Sequence, residues 1–193
     1  MPGIRQMQKE QTRETIIASA LKIYTEQGFS ASTSIIAKDA NVSHGAIFVH
    51  FPTVSSLIIC LLERFAENIN SKIHSISESA TDIKKLLSAH IDVLIECEDF
   101  YKRLIAEAVY LPEEAKNTFI AIQSTVSIHF SEVLEREIKK KKIKNVPLHM
   151  IFNTWLGLVH YYLLNSELFA PWKSVLKLHK RNLIDCFIVL IMK

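Results

Sequence analysis

Apolar residues recur at helical spacing along most of the chain, and the breaks between these stretches predict about nine helices and no convincing strand. The first helix is expected at residues 12–27, because Gly28 follows in the position that commonly ends a helix. Its apolar positions are Ile16, Ile17, Ala20, Leu21 and Tyr24. A helix with one apolar side is expected to pack that side against a core.

Two short helices joined by a tight turn are expected next. Ser32 or Thr33 can cap the first of them, and Ser43 can cap the second, which ends near His50. The apolar residues of the first are Ile35, Ile36, Ala37 and Ala40. Asn41 suits the turn, because Asn tolerates the left-handed conformation. Three helices in this order form the outline of a helix-turn-helix unit.

Six longer helical stretches follow, separated by a polar loop and by prolines. The segment SESATD, residues 77–82, is expected to be a loop with a fresh cap, and Val146-Pro147 breaks the chain again. Pro171 is expected to open the last helix. The six stretches are 53–76, 83–97, 100–110, 111 to the lysine cluster at 139–144, 148–167 and 170–192.

The composition supports a helical protein with a sizeable core. Hydrophobic residues make up 49% of 193 residues, and only 4 Gly and 5 Pro are present. The formal charge of +3 permits an anionic partner without requiring one. Cys60, Cys97 and Cys186 are widely spaced, so we interpret them as reduced core residues of a cytoplasmic protein.

Sequence patterns for membrane insertion and for enzyme chemistry are both missing. The N-terminus lacks the apolar segment of a signal peptide, and the apolar stretch 183–192 is far shorter than the ~20 residues that span a bilayer. That stretch favours a buried helix at an interface. The chain has no HExxH, ExxH, GxSxG or glycine-rich phosphate loop, and no Cys/His metal spacing. We therefore expect neither an enzyme, nor a metal site, nor a cofactor.

The N-terminal stretch resembles the TetR family of transcriptional regulators. The resemblance rests on TRETIIASALKIYTEQGF and IIAKDANVSHGAIFVHFP. The residues in register with the family pattern are Ile36-Ala37, Ala40, Val42-Ser43, Gly45, Ile47, Phe48 and His50-Phe51. The resemblance implies an all-α fold in which residues 1–51 form a helix-turn-helix DNA-binding domain. Residues 52–193 would then form a larger helical domain for ligand binding and dimerisation.

Four departures from the family pattern bear on DNA affinity. Asn41 replaces the usual turn glycine, and the segment between Gly28 and Ile36 is one residue shorter. Phe48 stands where a tyrosine often supplies a hydroxyl to a phosphate, and Val54 stands where a lysine is common. The last two departures remove phosphate contacts, so they affect affinity more than fold.

Small and hydroxyl-bearing residues at the helix starts are the candidate DNA contacts, since they allow close approach and can donate hydrogen bonds to phosphates or bases. They are Thr33, Ser34, Ser43, His44, Gly45, Ala46, Phe48, His50 and Thr53. In the alternative interpretation these residues do not contact DNA: Ser43 only caps its helix, and Gly45 and Ala46 only serve helix packing. Up to Phe51 the five basic residues exceed the four acids by one, and Arg5, Lys9 and Arg13 of the flexible start are expected to supply further charge. The lysine run at 139–144 is interpreted as a helix end rather than as a second nucleic-acid site.

Polar residues within apolar stripes of the C-terminal region suggest a small-molecule cavity. The candidate wall residues are Phe65, His90, Leu94, Tyr101, Phe119, Gln123, Val126, Phe130 and Trp155. Each polar residue could instead be a hydrogen-bonded core group. No charged pair stands out among them, so the expected ligand is apolar or weakly polar.

The final helices are too apolar for solvent, and the resemblance implies that they form a dimer interface. The candidate residues are Asn153, Gly157, His160, Leu164, Ile188 and Ile191. The sequence therefore predicts a homodimeric, ligand-responsive regulator, most simply a repressor, that binds a palindromic operator in double-stranded DNA. The alternative is a dimeric sensor or protein-binding module in which DNA binding is weakened or lost.

Overall fold

The computed structural model describes residues 3–79 and 82–193, without the side chains of 74–79. This part of the chain forms ten α-helices and one 3-10 turn, Ala108–Tyr110, and no strand beyond an isolated bridge between Ile143 and Met192. The helices are α1 (Ile4–Gln27), α2 (Thr33–Asp39), α3 (His44–His50), α4 (Val54–Ser79), α5 (Ile83–Glu96), α6 (Glu98–Glu107), α7 (Glu113–Lys139), α8 (Leu148–Leu164), α9 (Ser166–Phe169) and α10 (Val175–Ile191). The predicted all-α fold with an N-terminal helix-turn-helix is confirmed.

Several predicted helix ends are wrong. The first helix begins at Ile4, so Arg5, Lys9 and Arg13 lie on a helix rather than on a flexible start. Helix α4 continues to Ser79, through the first three residues of the predicted loop at 77–82. Residues 80 and 81 of that loop, and the side chain of Ile76, lie outside the described part of the chain. The predicted fresh cap is present, because the Asp82 carboxylate accepts the Lys84 N–H at 3.0 Å.

The last two predicted helices are three in the structure. Helix α8 ends at Leu164, the four-residue α9 follows, and α10 begins only at Val175 rather than at Pro171. Its start is fixed by two acceptors: the hydroxyl of Ser174 accepts from Lys177 N at 3.0 Å, and the carboxylate of Glu98 accepts from Val175 N at 2.8 Å. The second of these contacts comes from a distant part of the chain.

The chain divides into two compact units. The first comprises the chain up to Phe65 together with Ala106–Phe119, and it contains the whole helix-turn-helix. Its core is formed by Ile16, Ala20, Tyr24, Ile36, Ile47, Leu57 and Leu62, all buried. Leu21, expected on the apolar side of α1, is 41% exposed.

The turn after α1 in this first unit is closed by an acidic side chain. Gly28 has φ 90°, a value that favours glycine, and the carboxylate of Glu107 accepts the N–H of Phe29 at 2.7 Å. A Cβ added at Gly28 would lie 2.5 Å from Oε1 of Glu107. The backbone conformation therefore disfavours a side chain at this position, and the Glu107 carboxylate would have to move to admit one.

The second unit comprises Ala66–Ile105 and Ile120–Lys193, with α10 packed against α5 and α8. Trp155 is fully buried at its centre, with its ring 5.1 Å from that of Phe187. Within the described residues no single helix is long and apolar enough to cross a membrane, although the bent pair His44–His50 and Val54–Ile73 meets the same criteria when taken together.

The lysine run ends α7 in the way the sequence suggests. Lys141 has φ 60°, and Lys142 N donates to Glu137 O at 3.1 Å, which closes a left-handed helix terminus. The buried carboxylate of Glu137 pairs with Lys140 at 2.8 Å and with Lys142 at 3.6 Å. Lys144 N then donates to Ile191 O, so the run also fastens the end of α10.

The cysteines are free thiols in three different environments. Cys60 is buried, Cys97 is partly buried and Cys186 is exposed. The prediction that all three are core residues is therefore wrong for Cys186, because it lies on the outer side of an amphipathic helix.

Candidate DNA interface

The turn between α2 and α3 sets the position of α3, the predicted DNA-recognition helix, which we call the reader helix. Asn41 adopts φ 53°, and Val42 N donates to Ala37 O at 3.0 Å while Asn41 N donates to Lys38 O at 3.2 Å. These two bonds form a Schellman motif, in which the left-handed residue is normally glycine and sometimes asparagine. The replacement of the usual turn glycine by Asn41 therefore leaves the geometry intact.

Helix α3 begins with small exposed residues. Ser43 caps it, since its hydroxyl accepts the N–H of Ala46 at 3.3 Å. A Cβ built on Gly45 would meet no protein atom within 4 Å. No packing contact within the described chain therefore requires glycine at position 45.

His44 connects the starts of α2 and α3. Its Nε2 shares a hydrogen bond of 2.8 Å with the hydroxyl of Thr33, and its ring meets that of Phe48 edge to face at 5.3 Å. Phe48 is 39% exposed and Val49 is 72% exposed, so apolar side chains are part of this surface. The structure brings Thr33, His44 and Phe48 together as neighbours on one exposed face.

His50 and Thr53 lie at the opposite end of α3. Burial, followed by the positive charges of Lys9 and Arg13, lowers the pKa of His50. Thr53 and Ser56 cap the start of α4 reciprocally, with Ser56 N donating to Thr53 Oγ1 at 3.0 Å and Thr53 N donating to Ser56 Oγ at 3.2 Å. Thr53 and the remaining candidate Ser34 are both exposed, and Ala46 is partly exposed.

Two of the basic residues counted from the sequence are held within the unit. Arg13 donates to the Sγ of Cys60 at 3.2 Å, and its guanidinium lies 5.1 Å from the ring centroid of Phe51. Lys22 pairs with Asp39 at 2.6 Å, and this contact raises the pKa of Lys22 and lowers that of Asp39. The local sequence gives no signal for either contact, because both partners come from other helices.

Two polar pairs lie inside the second unit, among the candidate ligand residues. Trp155 Nε1 donates to His90 Nδ1 at 3.0 Å, and the Tyr101 hydroxyl shares a hydrogen bond of 2.7 Å with His160 Nε2. Burial, together with the neighbouring His160, lowers the pKa of His90 to about 3. Burial also lowers the pKa of His160 to about 4 and raises that of Tyr101. Both histidines are therefore neutral near pH 7.

The remaining candidate wall residues are mostly buried, as the stripes predicted. Phe130 meets His90 edge to face at 5.4 Å, and Gln123 hydrogen-bonds to Tyr101. Gln123 is partly buried, and the fully apolar members Phe65, Leu94, Phe119, Val126 and Phe130 are all buried. Their contact with a ligand stays a prediction.

The candidate dimer-interface residues occupy two environments. Asn153, Gly157 and Leu164 are exposed, and a Cβ on Gly157 would meet no protein atom within 4 Å. His160 is bonded inside the unit, Ile188 is partly buried and Ile191 is 6% exposed. Sequence reasoning missed five exposed apolar side chains on α8 and α10, namely Met150, Tyr161, Leu178, Val189 and Leu190. The first two continue the spacing of Asn153, Gly157 and Leu164, which could have identified them.

Comparison with known proteins agrees with this geometry. A family model described as bacterial regulatory proteins, tetR family, matches residues 16–58, which include all nine candidate DNA contacts. The chain is 26% identical over 138 residues to the uncharacterized HTH-type transcriptional regulator YuxN of Bacillus subtilis (strain 168), covering 68% of this chain and 47% of that protein. The chain spans about half the length of the curated relatives it matches.

Solved structures share the whole fold. A transcriptional regulator of the TetR family from Agrobacterium tumefaciens has a TM-score of 0.79 at 18% identity, covering 96% of this chain and 100% of that chain. The fatty acid degradation regulator FadR from Bacillus halodurans has a TM-score of 0.76 at 17% identity, covering 92% of this chain and 94% of that chain. At these identities the likeness establishes the fold.

Proposed function

We propose that this chain is a ligand-responsive repressor of the TetR family of transcriptional regulators, whose members are regulators and not enzymes. As a homodimer it binds a palindromic operator in double-stranded DNA. A small apolar or weakly polar ligand releases it. It acts in the cytoplasm, where operator DNA is accessible and where its free thiols stay reduced.

The observation that carries DNA binding is the open space at Gly45. A glycine inside a helix costs about 1 kcal/mol relative to alanine, and no contact within the described chain requires it here. Close approach of a DNA backbone supplies a reason for the missing side chain. The exposed Ser43 and His44 and the partly exposed Thr33 supply hydrogen-bond donors around it.

Ligand response is supported by the polar pairs inside the second unit. His90 with Trp155, and Tyr101 with His160, place a few hydrogen-bonding groups among buried aromatic side chains. Small-molecule sites have this composition. Because both histidines are neutral near pH 7, the site favours an uncharged or weakly polar ligand.

Dimerisation is supported by an exposed stripe on α8. Met150, Asn153, Gly157, Tyr161 and Leu164 are all exposed and recur on one side of the helix. Gly157 lets a second helix approach closely. A two-fold dimer would place two reader helices one DNA turn apart, about 34–36 Å.

An electrophoretic mobility shift tests the proposal. Purified full chain is mixed with the DNA upstream of its own coding sequence, and with a scrambled duplex of equal length. We expect a salt-sensitive complex with the upstream DNA and a much weaker one with the scrambled duplex. Gly45→Val should abolish the complex while the thermal unfolding curve shows a folded protein.

The second candidate function is a dimeric sensor or protein-binding module without useful DNA binding. The exposed Phe48 and Val54 favour it, because apolar side chains stand at the two positions where phosphate contacts are expected. Absence of a shift with every upstream duplex, for a protein that still dimerises, would support this candidate and contradict the first.

A further inference from the structure

A groove of about 990 Å³ runs between α5 and α10 on the second unit. Ala89 and Ile184 line its floor and are buried, while Leu178 lines it with 55% of its surface exposed. None of the candidate ligand residues of the interior lines it. We call it the α5–α10 groove, and it is separate from the proposed effector site.

The lining of this groove is strongly basic. Five of its side chains are cationic, from Lys84, Lys85, Lys177, Lys180 and Arg181, and two are carboxylates, from Asp92 and Asp185. The resulting formal balance of +3 equals that of the entire chain, whose other basic and acidic residues therefore cancel. The groove thus carries a net positive charge where two helices leave an open channel.

Ion pairs neutralise only part of the positive charge of the groove. Lys84 pairs with Asp185 at 2.7 Å and Lys180 pairs with Asp92 at 2.6 Å, so each carboxylate already has a lysine from the facing helix. Arg181 lies 3.6 Å from Asp185 and shares that carboxylate with Lys84. Among the described residues, neither Lys85 nor Lys177 has a carboxylate partner.

Lys85 and Lys177 stand toward opposite ends of the groove. The pairs of Lys84 with Asp185 and of Asp92 with Lys180 show that α5 and α10 run antiparallel. Lys85, beside Lys84, therefore lies near the level of Asp185, and Lys177 lies eight residues away along α10. At 1.5 Å per residue this separation is about 12 Å. Ala89, Ile184 and Leu178 provide apolar surface between the two ends.

We propose that the α5–α10 groove binds an elongated organic dianion whose acidic groups meet Lys85 at one end and Lys177 at the other, with Arg181 between the two ends. Its apolar middle covers the floor at Ala89 and Ile184. Burial of apolar surface adds to ion pairs that are individually weak at an exposed site. A compact anion can reach only one end, and a neutral molecule of equal length gains nothing from the lysines.

Isothermal titration calorimetry on the full chain at low ionic strength tests this with decanedioate, whose extended length suits the separation of the lysines. The comparison compounds are butanedioate, which is too short, and 1,10-decanediol, which is uncharged. We expect decanedioate to bind at least tenfold more tightly than either. Equal binding of the diol, or no binding of decanedioate, would overturn the proposal.

Two substitutions localise the site. Lys85→Gln and Lys177→Gln should each weaken decanedioate binding about three- to fivefold, the size expected for exposed ion pairs. Lys139→Gln removes an exposed lysine outside the groove and should leave binding unchanged. If the groove variants bind decanedioate like the wild type, the proposal fails. It fails equally if they convert a dimer to a monomer in sedimentation, because the groove is then an interface between copies. DNA binding enters none of these measurements, so their outcome is independent of the proposed function.

Discussion

The missing side chain at Gly45 has opposite effects on stability and on the proposed DNA binding. Nothing in the described chain fills the space beside it, so alanine fits there without moving a neighbour. Alanine also restricts the unfolded chain more than glycine does. A duplex, however, would meet the added methyl group at the point of closest approach.

Gly45→Ala is therefore expected to raise the free energy of unfolding by up to about 1 kcal/mol. The same substitution should weaken operator binding severalfold. Urea denaturation measures the first effect and fluorescence anisotropy with labelled operator measures the second. A variant that is stabilised yet binds with wild-type affinity would show that the backbone of α3 does not approach DNA closely.

The buried histidines of the second unit make stability depend on pH. The pKa of His90 falls from 6.5 to about 3, and that of His160 falls from 6.5 to about 4. At pH values between the lowered pKa of the folded state and 6.5, the unfolded chain binds protons that the folded chain does not. The contribution of the neutral histidines to the free energy of unfolding is fully present above about pH 6.5. It is lost progressively as the pH falls toward 4.

The free energy of unfolding should consequently fall by roughly 2 kcal/mol per histidine between pH 7 and pH 5. His90→Gln and His160→Gln should each flatten this dependence, whatever they do to stability at pH 7. His149→Gln removes a histidine at the start of α8 for which no such burial applies, and it serves as the control. Parallel urea-denaturation series for wild type and all three variants would contradict the assignment.

At the scale of single elements, the α2–α3 turn is specified by one residue. Asn41 adopts φ 53° between the two bonds that close α2. Other non-glycine residues reach this conformation at a cost of about 1 kcal/mol or more. The turn therefore depends on asparagine more than its exposed position suggests.

Asn41→Ala should lower the free energy of unfolding by about 1 kcal/mol, while Asn41→Gly should be close to neutral. Thermal denaturation followed by circular dichroism measures both. If alanine and glycine have equal effects, then backbone conformation does not explain the residue at this turn.

Local signals predicted some element ends and missed others. Asn41, Ser43 and Asp82 were predicted because a turn or a cap acts over a few residues. The start of α10 was missed because Glu98, which accepts from Val175 N, is distant in sequence. The run of α4 through residues 77–79 was missed because a short polar stretch does not by itself distinguish a loop from a helix.

The candidate site residues also divide into those that local sequence signals placed correctly and those that they did not. The small and hydroxyl-bearing residues of the reader lie on short helices with one possible exposed face, and the structure places them there. On α8 and α10 apolar residues occur on every side, so periodicity could not tell the inner face from the outer. His160 and Ile191 consequently face the interior, while Tyr161 and Val189 are exposed. Packing of α5 and α8 against α10 decides which side remains outside.

At the scale of the whole molecule, Gly157 connects fold and assembly. It lies in the middle of α8, where an added Cβ would have no protein atom within 4 Å, and Tyr161 and Leu164 are exposed beside it. The proposed dimer would cover these side chains. A bulky residue at position 157 would then separate the subunits without disturbing the subunit itself.

Gly157→Leu should shift the dimer toward monomer by at least tenfold in dissociation constant, and specific DNA binding should weaken with it. Sedimentation velocity over a concentration series measures the first effect. Thr154→Leu, at another exposed position one turn earlier, tests how far the interface extends. An unchanged dimer in Gly157→Leu would exclude close approach of helices at this glycine.

The contact between Gly28 and Glu107 couples the effects of mutations at the two positions. The two positions lie far apart in sequence, yet the carboxylate occupies the volume that a side chain at 28 would need. Shortening residue 107 first frees that volume but removes an acceptor from Phe29 N–H. Substituting position 28 first creates a clash in addition to the strain of φ 90°. A side chain at position 28 would therefore displace the Glu107 carboxylate from the Phe29 N–H, so substitutions at positions 28 and 107 are expected to have non-additive effects on stability.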